Sequence, residues 1–357
     1  MAVYFSLDTQ FENLGDEVIN GLLLRELARR QALRILTGKA PDWYRANIAA
    51  AVGGGGGDVR FIADRKRYMR DFVMGCLLPP GNIMLLSCGD VTTIKPNSRR
   101  SKMMSVLTRL PFLQIAQVGA SRLKLADADK GWLARAAGKA GRVTVRDEYS
   151  LQTLEAAGIK TRLLPDLAFL LDYRRPDGAT KALFMFRETD ADSTAFVAQL
   201  AAMVARSRDL GLEPVFGWQV ARDESFNRAL AEHTGAGLLE LPGSSEGRLT
   251  PTLQAYEGVA VIVSNRLHGL LLAASRGALP MPMLRDSERK VRGVFEHAGL
   301  AGLLVSDALA PGASADALAG VMTQRSLYVD AVEQAFQANS ASLRQGFDAL
   351  FGTGRAA

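Results

Sequence analysis

The stretch VAVIVSNRLHGLLLAASRGALPMPM, residues 259–283, constrains this chain more than any other. Its five opening residues are apolar without alternation, which is the signature of a strand covered on both faces. Residues 267–276 then read as a helix with small and apolar side chains almost all round, and ALPMPML as another buried strand. A buried strand, a helix and a second buried strand are the repeating unit of a parallel sheet between helical layers.

The same alternation runs twice along the chain. In the first half MAVYFSL, NIMLLSCGD and PFLQIAQVGAS read as strands, and GRVTV as a short one. NLGDEVINGLLLRELARRQALRIL reads as one helix, with Val18, Ile19, Leu22, Leu23 and Leu27 at helical spacing. A helix also starts near Asp147 and is closed by Gly158, and TRLLPDLAFLL is strand-like. The run DYRRPDGATK, 172–181, is rich in Pro, Gly and charge and reads as a linker. Beyond it ALFMFRE, EPVFGWQ, GLLELPG, VAVIVSN and ALPMPML read as strands with helices between them. With 357 residues the chain exceeds what one core usually serves. The expectation is an α/β protein with two Rossmann-like domains around a cleft, 1–175 and 176–357. The last long helix, near 315–350, is expected to cross back onto the first domain. The five glycines of AAVGGGGGD read as a flexible surface loop, since no Lys-Ser/Thr helix start follows to make a phosphate loop.

Composition narrows the function classes. The net charge of +6 suits anionic ligands or an anionic surface. No compact Lys/Arg run with interleaved aromatics is present, which argues against nucleic acid. Cys76 and Cys88 have no metal-ligand spacing around them, and MAVYFSLDTQF lacks the features of a secretory signal. A cytoplasmic protein with free, packing thiols is expected, with the basic balance suiting a peripheral seat at the inner face of an anionic membrane.

Chemistry-bearing residues gather where strands hand over to helices. Arg266 and His268 follow the buried strand, at a helix start that Ser264 or Asn265 is placed to cap. Unpaired N–H groups and the helix dipole favour an anion there, and a cation is unfavourable until one arrives. The alternative is that Arg266 pairs with a carboxylate from the other domain and His268 is a satisfied core histidine. Arg146 lies at a second such junction, VRDEYS, where the plainer reading is a helix capped by Asp147 beside a solvated arginine. In NLGDE, Gly15 permits close backbone approach, and Asp16 either caps the helix or meets a ligand hydroxyl. Asp90 ends SCGD, where ordinary turn chemistry is the plainer reading.

Taken in order, NLGDEVI, VRDEYSLQTLEAAGI…LLPDLAF and VIVSNRLHGLLLAASRGALPM…RDSERKVRGVFEHAGL resemble the polysaccharide pyruvyl transferase family, from about residue 5 to about residue 300. The resemblance implies a GT-B-like architecture. It implies phosphoenolpyruvate as donor, a pyruvate ketal formed on a sugar of an exopolysaccharide or envelope polysaccharide or its lipid-linked precursor, and release of phosphate. It places the family's arginines on Arg266 and Arg146, its histidine on His268 and a lysine on Lys290. On that basis Arg266, Arg146 and Lys290 are expected on the anions of phosphoenolpyruvate, His268 in acid/base work or equally on the phosphate as imidazolium, and Asp90 or Asp16 on the acceptor hydroxyls. The glycine-rich turn usual in that family is Ser-Cys-Gly-Asp here, so Asp90 is placed by order alone. The chemistry requires no metal, and no metal-ligand cluster appears in the sequence. The residues leave two other readings open: a GT-B glycosyltransferase using a nucleotide sugar, and a non-catalytic homologue. The acceptor sugar and the oligomeric state are not written in the sequence.

Overall fold

The computed structural model describes residues 1–90, 99–110, 112–188 and 194–353. The chain divides into two compact units. The first comprises Met1–Phe11, Asp16–Leu167 and Ser340–Ala357; the second comprises Glu12–Gly15 and Ala168–Asn339.

In chain order the first unit runs β1 (Ala2–Ser6), α1 (Leu14–Ala28), β2 (Ala32–Leu36), α2 (Asp42–Gly53), β3 (Val59–Ile62), α3 (Arg65–Gly75), β4 (Ile83–Leu85), β5 (Gly89–Asp90), α4 (Arg99–Leu107), β6 (Gln114–Ser121), α5 (Asp127–Ala140), β7 (Val143–Val145), α6 (Glu148–Ala156) and β8 (Arg162–Leu163). Its sheet has the order β3-β2-β1-β4-β6-β7-β8, with β5 pairing the far end of β6, and every pairing is parallel. The chain builds outward from β1 in one direction and returns to build from β4 in the other. The carboxyl ends of β1 and β4 are therefore the switch point, where connections leave to opposite faces and open a crevice.

The second unit runs β9 (Lys181–Met185), α7 (Thr194–Asp209), β10 (Glu213–Phe216), α8 (Glu224–Thr234), β11 (Gly237–Leu238), α9 (Leu249–Glu257), β12 (Val259–Ser264), α10 (Leu267–Ala274), β13 (Leu279–Leu284), α11 (Arg289–His297), β14 (Val305–Ser306), α12 (Pro311–Thr323) and α13 (Arg325–Phe351). The sheet order is β11-β10-β9-β12-β13-β14, again all parallel, and its switch point lies between β9 and β12. Every residue of β12 and β13 is buried, and so is all of α10 except His268. Each buried Val, Ile or Leu there contributes about 1.5–3 kcal/mol relative to an exposed one. The residues of α13 from 340 onward belong to the first unit. There Arg30 Nε donates to Asp348 Oδ1 at 2.9 Å, and Gln31 Nε2 to the Phe351 carbonyl at 2.7 Å.

The expected α/β class with two Rossmann-like parallel sheets is the one observed, with local differences. The helix read over 13–36 ends at Ala28, and ALRIL is the strand β2, in register with β1 from Ala2↔Ala32 to Ser6↔Leu36. Sheet pairing overrides a segment that fits a helical pattern equally well. TRLLPDLAFLL is a two-residue strand followed by a short 3-10 turn at Leu167–Leu170, and GLLELPG gives only β11. In the largely exposed five-glycine run, Gly55 and Gly57 are closely packed. A Cβ on Gly57 would lie 2.0 Å from the Ala28 carbonyl oxygen and one on Gly55 would lie 2.7 Å from the Ala28 Cβ. Those glycines let the end of α2 close onto the end of α1. Among the described residues no helix is long and apolar enough to cross a membrane.

Candidate functional site

In the second unit the site grows from the end of β12. The Ser264 hydroxyl donates to the Met185 carbonyl at the end of β9 and accepts the Arg266 N–H at 3.0 Å. Asn265 accepts from the Arg187 N–H at 2.8 Å and donates to the Arg187 carbonyl at 3.1 Å. Neither residue caps α10 by its side chain; Arg266 occupies the cap position with no side-chain bond. The two polar side chains instead tie together the strands that flank the switch point, and so fix where Arg266 starts.

Arg266 forms an ion pair with Asp223, a carboxylate of its own unit rather than of the other. Asp223 is 1% exposed. Burial pushes its carboxyl above the ordinary range, against the pull of Arg266, Arg222 and Arg187. Burial likewise lowers the Arg266 guanidinium, against the pull of Asp223 and with Arg187 and Arg222 adding repulsion. Asp223 is thus paired with Arg266 and feels the further positive charge of Arg187 and Arg222, both exposed to solvent. Arg266 Nε is buried and has no hydrogen-bond partner among the described residues. This is an excess of positive charge at a strand-end crevice, which stabilises a bound anion.

His268, in the first turn of α10, packs on Gly15. A Cβ at Gly15 would lie 2.5 Å from both Cβ and Nδ1 of His268, closer than real side chains approach. The close approach read for Gly15 is thus to the imidazole. Asn13 Oδ1 accepts the Gly15 N–H at 3.1 Å, so Asn13, and not Asp16, holds the start of α1. Gly15→Ala must displace His268 at its Cβ, which cannot swing aside, by about an ångström. Turnover is expected to fall on the order of a hundredfold, with stability lowered by about 1–3 kcal/mol from the overpacking. Kinetics beside a thermal melt checks this, and unaltered turnover would contradict it. Lys290 lies in the first turn of α11, after β13, where its N–H donates to the capping Glu288 at 3.1 Å.

In the first unit Arg146 is 1% exposed. It is not solvated. Its Nη1 donates to Asp166 Oδ2 at 2.5 Å and its Nε to Ser121 Oγ at 2.8 Å. Asp147 does cap α6, accepting from the Ser150 N–H at 2.8 Å, and it also accepts from Ser121 Oγ at 2.7 Å. The result is a buried polar network binding the ends of β6, β7 and β8. At the switch point of this sheet, Asp16 accepts from the Thr9 hydroxyl at 3.5 Å. Cys88, after β4, donates to Asn20 Oδ1 at 3.2 Å. Burial, then the negative charges of Asp16 and Asp166, push the Cys88 thiol far up, so it is neutral near pH 7. The backbone of Asp90 pairs with Ser121 at the end of β6; its side chain lies outside the described residues.

Arg266, His268 and Lys290 thus belong to the second unit, and Arg146, Asp16 and Asp90 to the first. Arg187, Arg222 and Asp223 were not expected from the sequence. Arg187 had a signal: it ends ALFMFRE as Arg266 ends VAVIVSN. The ion pair with Asp223 had none, because it depends on tertiary placement. Among the described residues no cluster of three or more His, Cys, Asp or Glu side chains is arranged to hold a metal ion.

Comparison with solved structures places this architecture. HepE from Anabaena, in complex with UDP and glucose, superposes with a TM-score of 0.59 at 10% identity, over 98% of this chain and 97% of that one. UDP-GlcNAc 2-epimerase from Neisseria meningitidis, bound to UDP-GlcNAc, gives 0.55 at 10% identity, over 98% of each chain. At such identities the likeness shows the fold alone: this is an α/β protein of the GT-B type. A search of curated protein sequences finds no match. The sequence model of the polysaccharide pyruvyl transferase family matches residues 13–277, and the chain belongs to that family. The match takes in Gly15, Arg146, Asp223, Arg266 and His268, and ends before Lys290.

Proposed function

We propose that this chain transfers the pyruvyl group of phosphoenolpyruvate to two hydroxyls of one sugar, in a polysaccharide or its lipid-linked precursor. The observation that carries the reading is the excess of guanidinium charge about Asp223 at the β9/β12 switch point, within the segment that matches the family. Phosphoenolpyruvate presents a phosphate and a carboxylate on one vinyl carbon, and guanidinium groups suit both. Arg266 is oriented by Asp223, while Arg187 and Arg222 add solvent-facing charge. Lys290, in the turn after the neighbouring strand, is a further cation for the donor.

The reaction needs a proton on the methylene carbon, which becomes the methyl group. A sugar hydroxyl then bonds to the cationic carbon beside it, the bond to phosphate breaks, and a second hydroxyl closes the ketal. Of the two hydroxyl protons released, one restores the acid and one leaves on phosphate. His268 is the acid/base group in this reading, since an imidazole can both donate and accept a proton. Asp16 and Asp90 are the groups for the acceptor hydroxyls. Arg146 shares its guanidinium with Asp166 and takes part by holding the strand ends of the first unit in place.

The test is phosphate release from phosphoenolpyruvate with a panel of hexose acceptors, for wild type beside His268→Ala. The expected loss in turnover is about 10²–10⁴-fold with donor binding retained. Turnover near wild type would remove His268 from the chemistry. Transfer from UDP-glucose in place of phosphoenolpyruvate would favour the glycosyltransferase reading.

A further inference from the structure

At the amino end of its sheet, away from the strand ends that carry Asp16 and Cys88, the first unit exposes large apolar side chains. Met74 is 58% exposed, Leu77 47%, Leu78 68% and Val106 65%, with Met103 and Phe112 near 40%. Met74, Leu77 and Leu78 lie in the α3–β4 turn against Phe112, and Met103 and Val106 lie on α4, which leads by way of Arg109 to Phe112. The Leu77 N–H donates to the Met74 carbonyl at 3.2 Å, and the Gly81 N–H to the Leu78 carbonyl at 2.8 Å, so the end of α3 turns straight into β4. Phe112 stands at the entry to β6, the parallel neighbour of β4 in register Ile83↔Gln114. It lies against that turn, because a Cβ on Gly81 would sit 2.8 Å from the Phe112 Cβ. On α4 the exposed positions Lys102, Met103 and Val106 share one helical face, and the exposed Arg109 follows in the turn after the helix.

The charge around these side chains is basic. Lys102 and Arg109 flank Met103 and Val106. Arg135 and Lys139 of α5 are exposed beside the same helix, bonded to uncharged oxygens: Arg135 Nε donates to Thr108 Oγ1 at 3.2 Å, and Lys139 Nζ to the carbonyls of Thr108 at 2.9 Å and Leu110 at 2.6 Å. On α3 the exposed Arg67 and Arg70 lead toward Met74, both paired with Asp71. Exposed apolar residues on this scale are unusual for a surface facing only water. An apolar centre inside a basic rim complements an anionic bilayer, where insertion and headgroup attraction add.

We propose that this face, the α3–β4 turn with the outer face of α4 and the Phe112 turn, docks the protein on an anionic membrane. The inference stands apart from the choice of donor, because none of these residues belongs to the site above.

The experiment is flotation of the full chain with phosphatidylcholine vesicles, with and without phosphatidylglycerol. Binding is expected only with phosphatidylglycerol, weakening as salt is raised. Lys102→Ala with Arg109→Ala should weaken it on the order of thirtyfold, at about one kcal/mol per basic residue. Leu78→Ser with Val106→Ser should weaken it at least tenfold. Both double variants should bind phosphoenolpyruvate and melt as wild type does, so a failure here is separate from a failure of the proposed activity. Equal binding to neutral vesicles, no binding to either, or variants that float like wild type would overturn the proposal. Self-association lost in the Leu78→Ser, Val106→Ser variant, without vesicle binding, would also overturn it and assign the face to a second copy of the chain.

Discussion

Arg266→Ala is expected to lower kcat/KM for phosphoenolpyruvate by about 2–5 kcal/mol, on the order of thirtyfold to several thousandfold. It is also expected to destabilise the second unit. Its partner Asp223 is buried, and removing the guanidinium leaves that carboxylate without its ion pair. The cost of stranding a buried charge is about 3–5 kcal/mol, or about 10 °C in melting temperature for a unit of this size. A second substitution separates the two effects. Asp223→Asn on top of Arg266→Ala removes the stranded charge and should recover most of the stability. It should recover none of the transfer, because the cation that meets the donor is still missing. Recovery of both would mean that Arg266 serves only to neutralise Asp223.

The second large effect is expected in the first unit. Arg146→Ala takes the ion pair from Asp166, which is 1% exposed, and from Ser121 a bond at 2.8 Å. The expected loss of folding stability is about 3–5 kcal/mol, read as a shift of the denaturation midpoint at unchanged slope. A solvated arginine would give a change within about half a kcal/mol. A small effect on stability would therefore contradict the network and return Arg146 to the role of a simple anion receptor. Arg146→Lys is not a conservative control, since an ammonium cannot reach both Asp166 and Ser121 in the fork geometry of a guanidinium.

The parts of the fold legible in the sequence were those where burial on both sides leaves an uninterrupted apolar run. VAVIVS and LPMPML announce themselves because nothing in them faces water. β2 was hidden for the opposite reason. No glycine or proline separates it from α1, and ALRIL can line a helix as well as a strand; its pairing with β1 decides. The two-residue strands β8 and β11 are too short to carry a period of their own. At the site, Arg266 and His268 were legible because polar groups interrupt an apolar junction. Gly15 was legible as a close approach, but its partner lies more than two hundred residues away in the chain. The solvated reading of Arg146 failed because the carboxylate that lets a guanidinium be buried, Asp166, comes from the next strand's exit. In the five-glycine run composition does not show that two of the glycines, Gly55 and Gly57, lie against Ala28.

The central claim is that the cationic strand end of the second unit receives phosphoenolpyruvate. Titration calorimetry tests it most directly, with phosphoenolpyruvate, UDP and GDP offered separately to wild type and to Arg266→Ala with Asp223→Asn. The account predicts that wild type binds phosphoenolpyruvate and neither nucleotide, and that the double variant, still folded, binds none of the three. Nucleotide binding without phosphoenolpyruvate binding, or phosphoenolpyruvate bound equally well by the double variant, would contradict it.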